Sequence, residues 1–442
     1  MTSAGLFGDL PQSDAVEAQG AGAPRLREPV RDQIELRPVD LDALIGPEHP
    51  ARVIWDYLQR LDLRELEEAV KAREHTPGQA PASPRLLLAL WLFATSQGIG
   101  SARALDRLCK SHDAYCWLCG GVSVNYHGLA DFRIAQPDLL DRLLTENVAT
   151  LSVAGVINLD EVVQDGVRVR ASAGASSFRR KKKLYKELRK AERLIERLKR
   201  EADDDPHASN RRIRAAQERA ARERAARVAA AQKALSELEQ QREQQARRRR
   251  KRNERKKEPR VSTTDPQARV MKMADGGFRP AYNCQLSTVG EGQIVVAIRT
   301  ETTGSDRGLM RPMLDELERR YCHRPKRHLI DGGFNKNDDI EWAATAGVKV
   351  YSPATRSKHN TDPYAPRRKD GPGMAAWRKR MKSPHGKAVC KRRGMGECIN
   401  ARLRQWGVHQ FTVRGRAKIN TVLHWFALAN NILAGHRLMA AA

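Results

Sequence analysis

One stretch of 83 residues, 178–260, carries 31 Lys or Arg against 14 Asp or Glu, more than half of the chain's formal charge of +27. A segment so charged has too few apolar residues to bury a core of its own. Globular structure must therefore be built from the sequence on either side of it. Within the stretch, Leu184, Leu188, Ala191, Ile195 and Leu198 recur at alternating steps of four and three, and Val228, Ala231, Leu235 and Leu238 do the same. That spacing predicts two helices with a coiled-coil seam. DDDPHASN (203–210) reads as the turn between them, so the expectation is an antiparallel helical arm. The seam slips between Ile213 and Val228, and no continuous register is assigned there.

The whole chain has 442 residues, enough for two or three domains, and its pI of about 10.2 favours a polyanionic partner. Nucleic acid is the commonest such partner; a ribosomal or membrane-surface role is the plainer alternative. The run ARRRRKRNERKK (246–257), with Arg247, Arg248, Arg249, Arg250 and Lys251, concentrates like charges that need counter-ions, and DNA phosphates would supply them. Its competing readings are a solvated charged face and a dimerisation surface along the seam. There is no run of eighteen apolar residues and no basic-then-apolar start, so neither a spanning helix nor a secretory signal is expected. Seven cysteines, an odd number, suit a reducing cytoplasm.

Four regions follow from composition. Residues 1–33, rich in Gly, Ala, Pro and Ser, read as a disordered leader. Residues 34–151 read as a helical domain, with Leu86, Leu87, Leu88, Leu90, Trp91 and Phe93 after the Pro81–Pro84 punctuation and Leu139, Leu140, Leu143 and Leu144 at helical spacing. Residues 152–177 and 261–442 together read as one α/β domain with a mixed sheet, interrupted by the arm at 178–260. Val162, Val163, Val167 and Val169 predict a strand pair, or one bent strand, around Asp165-Gly166. Segments 280–288 and 293–301 predict a hairpin, 306–321 a helix, 328–334 a strand into a Gly-Gly turn, 340–346 a helix and 348–354 another strand.

Three carboxylates stand where strands end or helices open: Asp165 before Gly166, Asp331 before Gly332-Gly333, and Glu397 in the helical stretch CKRRGMGECINARLRQW. Two aspartates on neighbouring strand ends and a glutamate on a facing helix could hold two divalent ions, one activating an attacking oxygen and one steadying a leaving oxygen. Hard oxygen ligands suit Mg²⁺ or Mn²⁺. Each acid also has a plainer reading: Asp-Gly as a turn, Asp-Gly-Gly as a phosphate-approaching turn, and Glu397 as an ion pair among its arginines. Cys109, His112, Cys116 and Cys119 have a spacing that invites zinc, but the helical pattern of LCKSHDAYCWLC favours small core residues. His127 and Arg133, in NYHGLADFR, read as capping or core groups, with contact to DNA ends as the sharper alternative.

From about Gln33 to the end the chain resembles a DDE transposase of a bacterial insertion sequence. The resemblance is carried by SPRLLLALWLFATSQGIGSARALDRLC and GGVSVNYHGLADFR in the helical part. In the catalytic part it is carried by QDGVRVRASAGASSFRRKK, TTDPQARVMKMADGGFRPAYNCQ, LIDGGF and GECINARLRQWGVHQFTVRGRAKI. It implies an RNase H-like catalytic fold, an N-terminal DNA-binding domain, and acids at Asp165, Asp331 and Glu397. Asp160 is the rival for the first acid; Asp165 is preferred because DGVRVRAS continues directly from it. Asp165 and Asp331 are 166 positions apart, 83 of them in the arm, and 66 more separate Asp331 from Glu397, so both gaps fit one domain. Relatives surround the glutamate with Tyr, Arg and Lys; this chain has Cys390, Arg393 and Arg404 there. Arg414 and Lys418, in VRGRAKI, would follow the catalytic helix and touch phosphates. The implied activity is metal-dependent cleavage at the element's ends followed by strand transfer. Its partner would be double-stranded DNA, bound by a homodimer or larger assembly, without nucleotide cofactor or membrane, at the bacterial nucleoid. A metal-dependent nuclease that does not join, or a decayed DNA-binding protein, are the alternatives; the absent Tyr bears on the second.

Overall fold

A computed structural model describes residues 40–70, 72, 80–204, 211–248, 258–290, 293–354 and 362–441. The helical region runs through α1 (Pro50–Gln59), α2 (Arg64–Glu68), α3 (Pro84–Ser96), α4 (Ala102–Ser111), α5 (Asp113–Cys119), α6 (Tyr126–Ala135) and α7 (Pro137–Val153). Proline opens α1, α3 and α7, where its missing N–H costs nothing. His49, Ser101, His112 and Asn125 cap α1, α4, α5 and α6 through their side chains. The His112 imidazole nitrogen is thereby committed to the Ala114 N–H (3.3 Å). Among the described residues no trio of His, Cys, Asp or Glu is arranged to hold a metal ion, the Cys109–Cys119 group included.

The first strand, β1 (Glu161–Arg170), is a single continuous strand, so Asp165-Gly166 is no turn. Next come β2 (Phe178–Arg179), the long helices α8 (Lys181–Asp204) and α9 (Arg211–Arg248), β3 (Val261–Ser262), β4 (Arg269–Lys272), β5 (Phe278–Val289) and β6 (Ile294–Glu301). The chain continues with α10 (Met310–Tyr321), β7 (Arg327–Leu329), α11 (Asn337–Thr345), β8 (Lys349–Tyr351), α12 (Pro372–Lys382), α13 (Pro384–Lys391), α14 (Gly394–Gln405) and α15 (Arg416–Ala441). The expected strand at 348–354 and helix at 306–321 are shorter than their patterns, because 306–309 turns before α10 begins.

The main sheet is mixed. β5 lies antiparallel to β1, β4 and β6 pair with the far side of β5, and β7 and β8 add in parallel on the other side of β1. β1 therefore sits at the centre, and both of its partners, β5 and β7, come from beyond the helix pair in sequence. Helices α8 and α9 pack on each other through Leu184, Val228, Ala231, Ala234 and Leu235, with Leu188 and Leu238 at the margin. Apart from Ala234, these are residues the spacing singled out; Ala191, Ile195 and Leu198, also singled out, do not join this cluster. Of the turn expected at 203–210, Asp203 and Asp204 belong to α8 and residues 205–210 lie outside the described residues, as do Arg249, Arg250 and Lys251; Arg247 and Arg248 end α9. No helix among the described residues is long and apolar enough to cross a membrane.

Two apolar clusters form, one around the sheet and one within the helical region, and α15 belongs to both: Leu423, Phe426 and Ala427 face the first, Trp425, Leu428 and Ile432 the second. Where α15 crosses the edge strand β6, the Asn431 carboxamide accepts from the Val295 N–H (2.8 Å) and donates to the Val295 carbonyl (2.8 Å). A side chain thus completes one rung of a buried sheet edge, where an unpaired backbone group would be costly. Asn431→Ala should strand both groups and destabilise the protein by about 2–5 kcal/mol, read as a lowered urea midpoint. An unchanged midpoint would show that the rung contributes nothing.

Candidate active site

Asp165 sits mid-way along β1, on the face covered by α14. The two elements approach closely because Gly396 has no side chain: a Cβ there would lie 3.0 Å from the Asp165 Cβ and 3.1 Å from Val163 Cγ1. That approach places Glu397, the next residue, at the opening of α14. One turn on, Asn400 donates to Asp165 Oδ2 at 2.7 Å, while the Gly166 N–H donates to Oδ1 at 2.8 Å.

Asp331 comes to the same place from the parallel neighbour. The last paired rung is Val163 with Leu329, so Asp331 follows β7 at the level where Asp165 follows Val163. Gly332 then lets the chain turn against the Pro353 carbonyl, which a Cβ would approach to 2.9 Å. Arg393 joins the acids. Its Nη1 is 3.3 Å from Asp331 Oδ1 and 3.7 Å from Glu397 Oε1, while the carboxylates themselves are 57% and 72% exposed. As they stand, Asp331 and Glu397 are turned onto a guanidinium rather than gathered into a ligand cage.

Burial pushes the Asp165 carboxyl up to about 6. The hydrogen bonds from Gly166 and Asn400 oppose the rise, and the nearby charges of Asp331 and Asp306 add to it. A half-buried acid beside two others is short of positive charge. Arg393 supplies one cation, and a divalent ion is the natural further one for hard oxygen donors.

Asp306 and Asn400 escaped the sequence reading. Asp306 lies beneath Gly166 on the opposite face of the sheet, accepting from Asn283 Nδ2 (2.7 Å) and Gln285 Nε2 (2.9 Å) and pairing with Arg168 (3.1 Å). A Cβ on Gly166 would meet Gln285 Nε2 at 2.3 Å and Asp306 Oδ1 at 2.8 Å, so a side chain there would push this polar cluster aside. The two amides at i and i+2 of a buried strand were the available signal; nothing in the sequence tied them to Asp306.

The remaining candidates scatter. Cys390, where relatives carry Tyr, is buried beside Arg393; burial pushes its thiol up, while the Arg393 guanidinium, hydrogen-bonded to the sulfur, pulls the other way. Arg404 is exposed on α14, seven residues past Glu397, and Lys418 is exposed at the start of α15. Arg414 lines a separate cleft at the base of the helix pair. Asp160 pairs with Lys326 at 2.8 Å, away from the acids. Arg133 is a core group, stacked 4.7 Å over Trp91 and donating to the Gly100 carbonyl; His127 is exposed against the Tyr126 ring.

Comparison with protein families supplies the class of enzyme. Residues 259–432 match the Transposase DDE domain and residues 39–134 the Transposase domain (DUF772), together more than half of the chain. The chain belongs to the DDE transposases of insertion sequences, enzymes that act on DNA. Such enzymes generally use divalent metal ions. No curated protein and no solved structure matches the chain.

An acid whose folded pKa lies above its unfolded value weakens the fold once it ionises. The penalty from Asp165 is absent below its ordinary 3.8 and complete above about 6. Replacing Asp165 by Asn should therefore shift the stability difference in the variant's favour between pH 4 and 7.5, by on the order of 1–3 kcal/mol, in metal-free buffer. A pH-independent difference in urea unfolding would show that Asp165 is not desolvated.

Proposed function

We propose that Asp165, Asp331 and Glu397 are the catalytic acids of this transposase, that its sheet is the RNase H-like catalytic domain, and that it cuts the ends of its insertion sequence and joins them to target DNA. The observation that carries this is the Arg393 guanidinium lodged between Asp331 and Glu397, beside a half-buried Asp165 whose pKa is raised. Antiparallel β6-β5-β1 continued by parallel β7 and β8 supports the fold reading. The catalytic domain would comprise 152–177 and 261–442, with 34–151 as a helical DNA-binding domain and 178–260 as an inserted coiled-coil arm.

The three acids would hold Mg²⁺ or Mn²⁺, two ions per site, which when bound supply activation of the attacking oxygen and charge stabilisation at the leaving one. The chain's own residues do the positioning. Asn400 and the Gly166 N–H fix the two oxygens of Asp165. Gly396 sets the height of Glu397 above the strand. Arg393, once its acids take up a metal, would be left to face the scissile phosphate, and Arg404 lies about three turns further along the same helix face for a more distant one. In cleavage, water oxygen bonds to phosphorus, the P–O3′ bond breaks, and the 3′ oxygen takes up a proton. In joining, that 3′-OH attacks a target phosphodiester and releases a target 3′-OH, so no covalent enzyme intermediate or nucleotide cofactor is needed. DNA-bound protomers would act as a homodimer or larger assembly at the nucleoid.

Asp331→Ala and Glu397→Ala should each lower Mg²⁺-dependent cleavage of a labelled duplex carrying the element's ends roughly a thousandfold or more, the loss of several kcal/mol of stabilisation, while duplex binding is kept. Cleavage at the parent rate in either variant would remove that acid from the centre. Cleavage by the parent with no joined product would leave a nuclease instead.

A further inference from the structure

At the root of the helix pair, away from the acids, a polar cleft of about 520 Å³ opens between the arm and the sheet. Four arginines from three separate parts of the chain line it: Arg179 of β2, Arg224 and Arg227 of α9, and Arg414 ahead of α15. One carboxylate faces them. Glu187 on α8 accepts from Arg179 Nε at 2.9 Å and lies 3.9 Å from Arg224 Nη2. Arg227 pairs only with the rim residue Glu223, which is 72% exposed, at 3.7 Å, and Arg414 has no acidic partner among the described residues. The hydroxyls of Ser176 and Thr264 also line the cleft, and neither makes a hydrogen bond of its own among the described residues.

A charge run along one helix would spread its side chains into solvent. Here guanidinium groups from a helix, a strand and a loop line one concavity, open to solvent on one side, in which four cations outnumber the single lining carboxylate, Glu187. Such a site is complementary to an anion with several oxygens in fixed directions, and guanidinium forks with free hydroxyls match a phosphodiester better than a carboxylate. A cleft of this size admits one nucleotide unit.

We propose that this cleft is a phosphate clamp that grips one backbone phosphate of a DNA strand at the root of the arm. The proposal rests on the reading of the chain as a DNA-binding transposase. It gives the arm a defined contact: the bound phosphate would join α9 to β2 and to the loop before α15, so that DNA holds the arm against the body.

The test uses full-length protein and a 30-base-pair duplex of arbitrary sequence, with affinity measured by fluorescence anisotropy across a salt series. Arg224→Ala with Arg227→Ala removes two exposed guanidiniums from α9 and keeps helix propensity. Arg189→Ala with Arg193→Ala removes the same charge from exposed positions of α8 outside the cleft. The first pair should weaken binding about tenfold and make the salt dependence shallower by roughly one counterion; the second should change affinity less than threefold. Helix content by circular dichroism should be unchanged in both. Equal losses from the two pairs would mean a diffuse basic field and overturn the clamp. No loss from the first pair would overturn it while leaving DNA binding intact. If the parent itself fails to bind the duplex, the DNA-binding reading fails and takes the clamp with it.

Discussion

A helix without a polar face has to be covered on every side, and α15 is such a helix. Fifteen of its residues are buried, and it packs at once on α3 and α7 of the helical region and on β6 of the sheet. This is the contact on which the two apolar clusters are joined. Polar groups fix its position where apolar packing alone would leave it free to slide. Asn431 completes the edge of β6, Asn430 donates to the Gln293 carbonyl and accepts from Arg402 of α14, and His424 meets Asp141 of α7. Burial alone would raise the Asp141 carboxyl, yet His424 and Arg320 hold it well below the usual range. Arg320, 2% exposed, also pairs with Glu316, so α7, α10 and α15 share one buried charge network. Removing one member would leave its partners charged and uncompensated, which makes the network a constraint on geometry more than a source of net stability.

That constraint reaches the acids through Arg402. Its Nη1 donates to Asn430 at 2.6 Å, which ties the last turn of α14 to α15. The first turn of α14 is held by the glycine contact of Gly396 with β1. A helix fixed at both ends cannot lift Glu397 away from Asp165 without breaking one of them. The side chains have more freedom than the backbone: Asp331 and Glu397 are exposed and share a guanidinium, an arrangement that can reorganise around a stronger cation without moving a strand.

Much of this was legible from pattern. The period-two valines predicted a strand at Asp165, and the four-three spacing picked out Leu184, Val228, Ala231 and Leu235, which do meet. What stayed hidden depends on contacts between residues far apart in sequence. Asp165-Gly166 resembles a turn until the strand is seen running straight through it, with the bare face of Gly166 set against Gln285 and Asp306 beneath. Asn400 looked like one polar residue among many on α14, and its role appears only when that helix is set on β1. Cys109, His112, Cys116 and Cys119 likewise show by spacing alone nothing of what the fold does with His112, whose Nδ1 caps α5 by accepting from the Ala114 N–H.

The charge that first marks the chain is not the charge of the acidic site. Around Asp165 the local problem is excess negative charge in a half-buried place, answered in part by Arg393, and on the proposed reading a metal ion would complete it. At the base of the arm the problem is reversed: four arginines face one glutamate, and an anion completes the balance. The two places are therefore incomplete in opposite senses, and a duplex with its accompanying divalent ions would supply both deficits. DNA and metal should then reinforce each other's binding, since a phosphate brought to Arg393 releases the carboxylates that the ions need, and ions on those carboxylates release Arg393 for the phosphate.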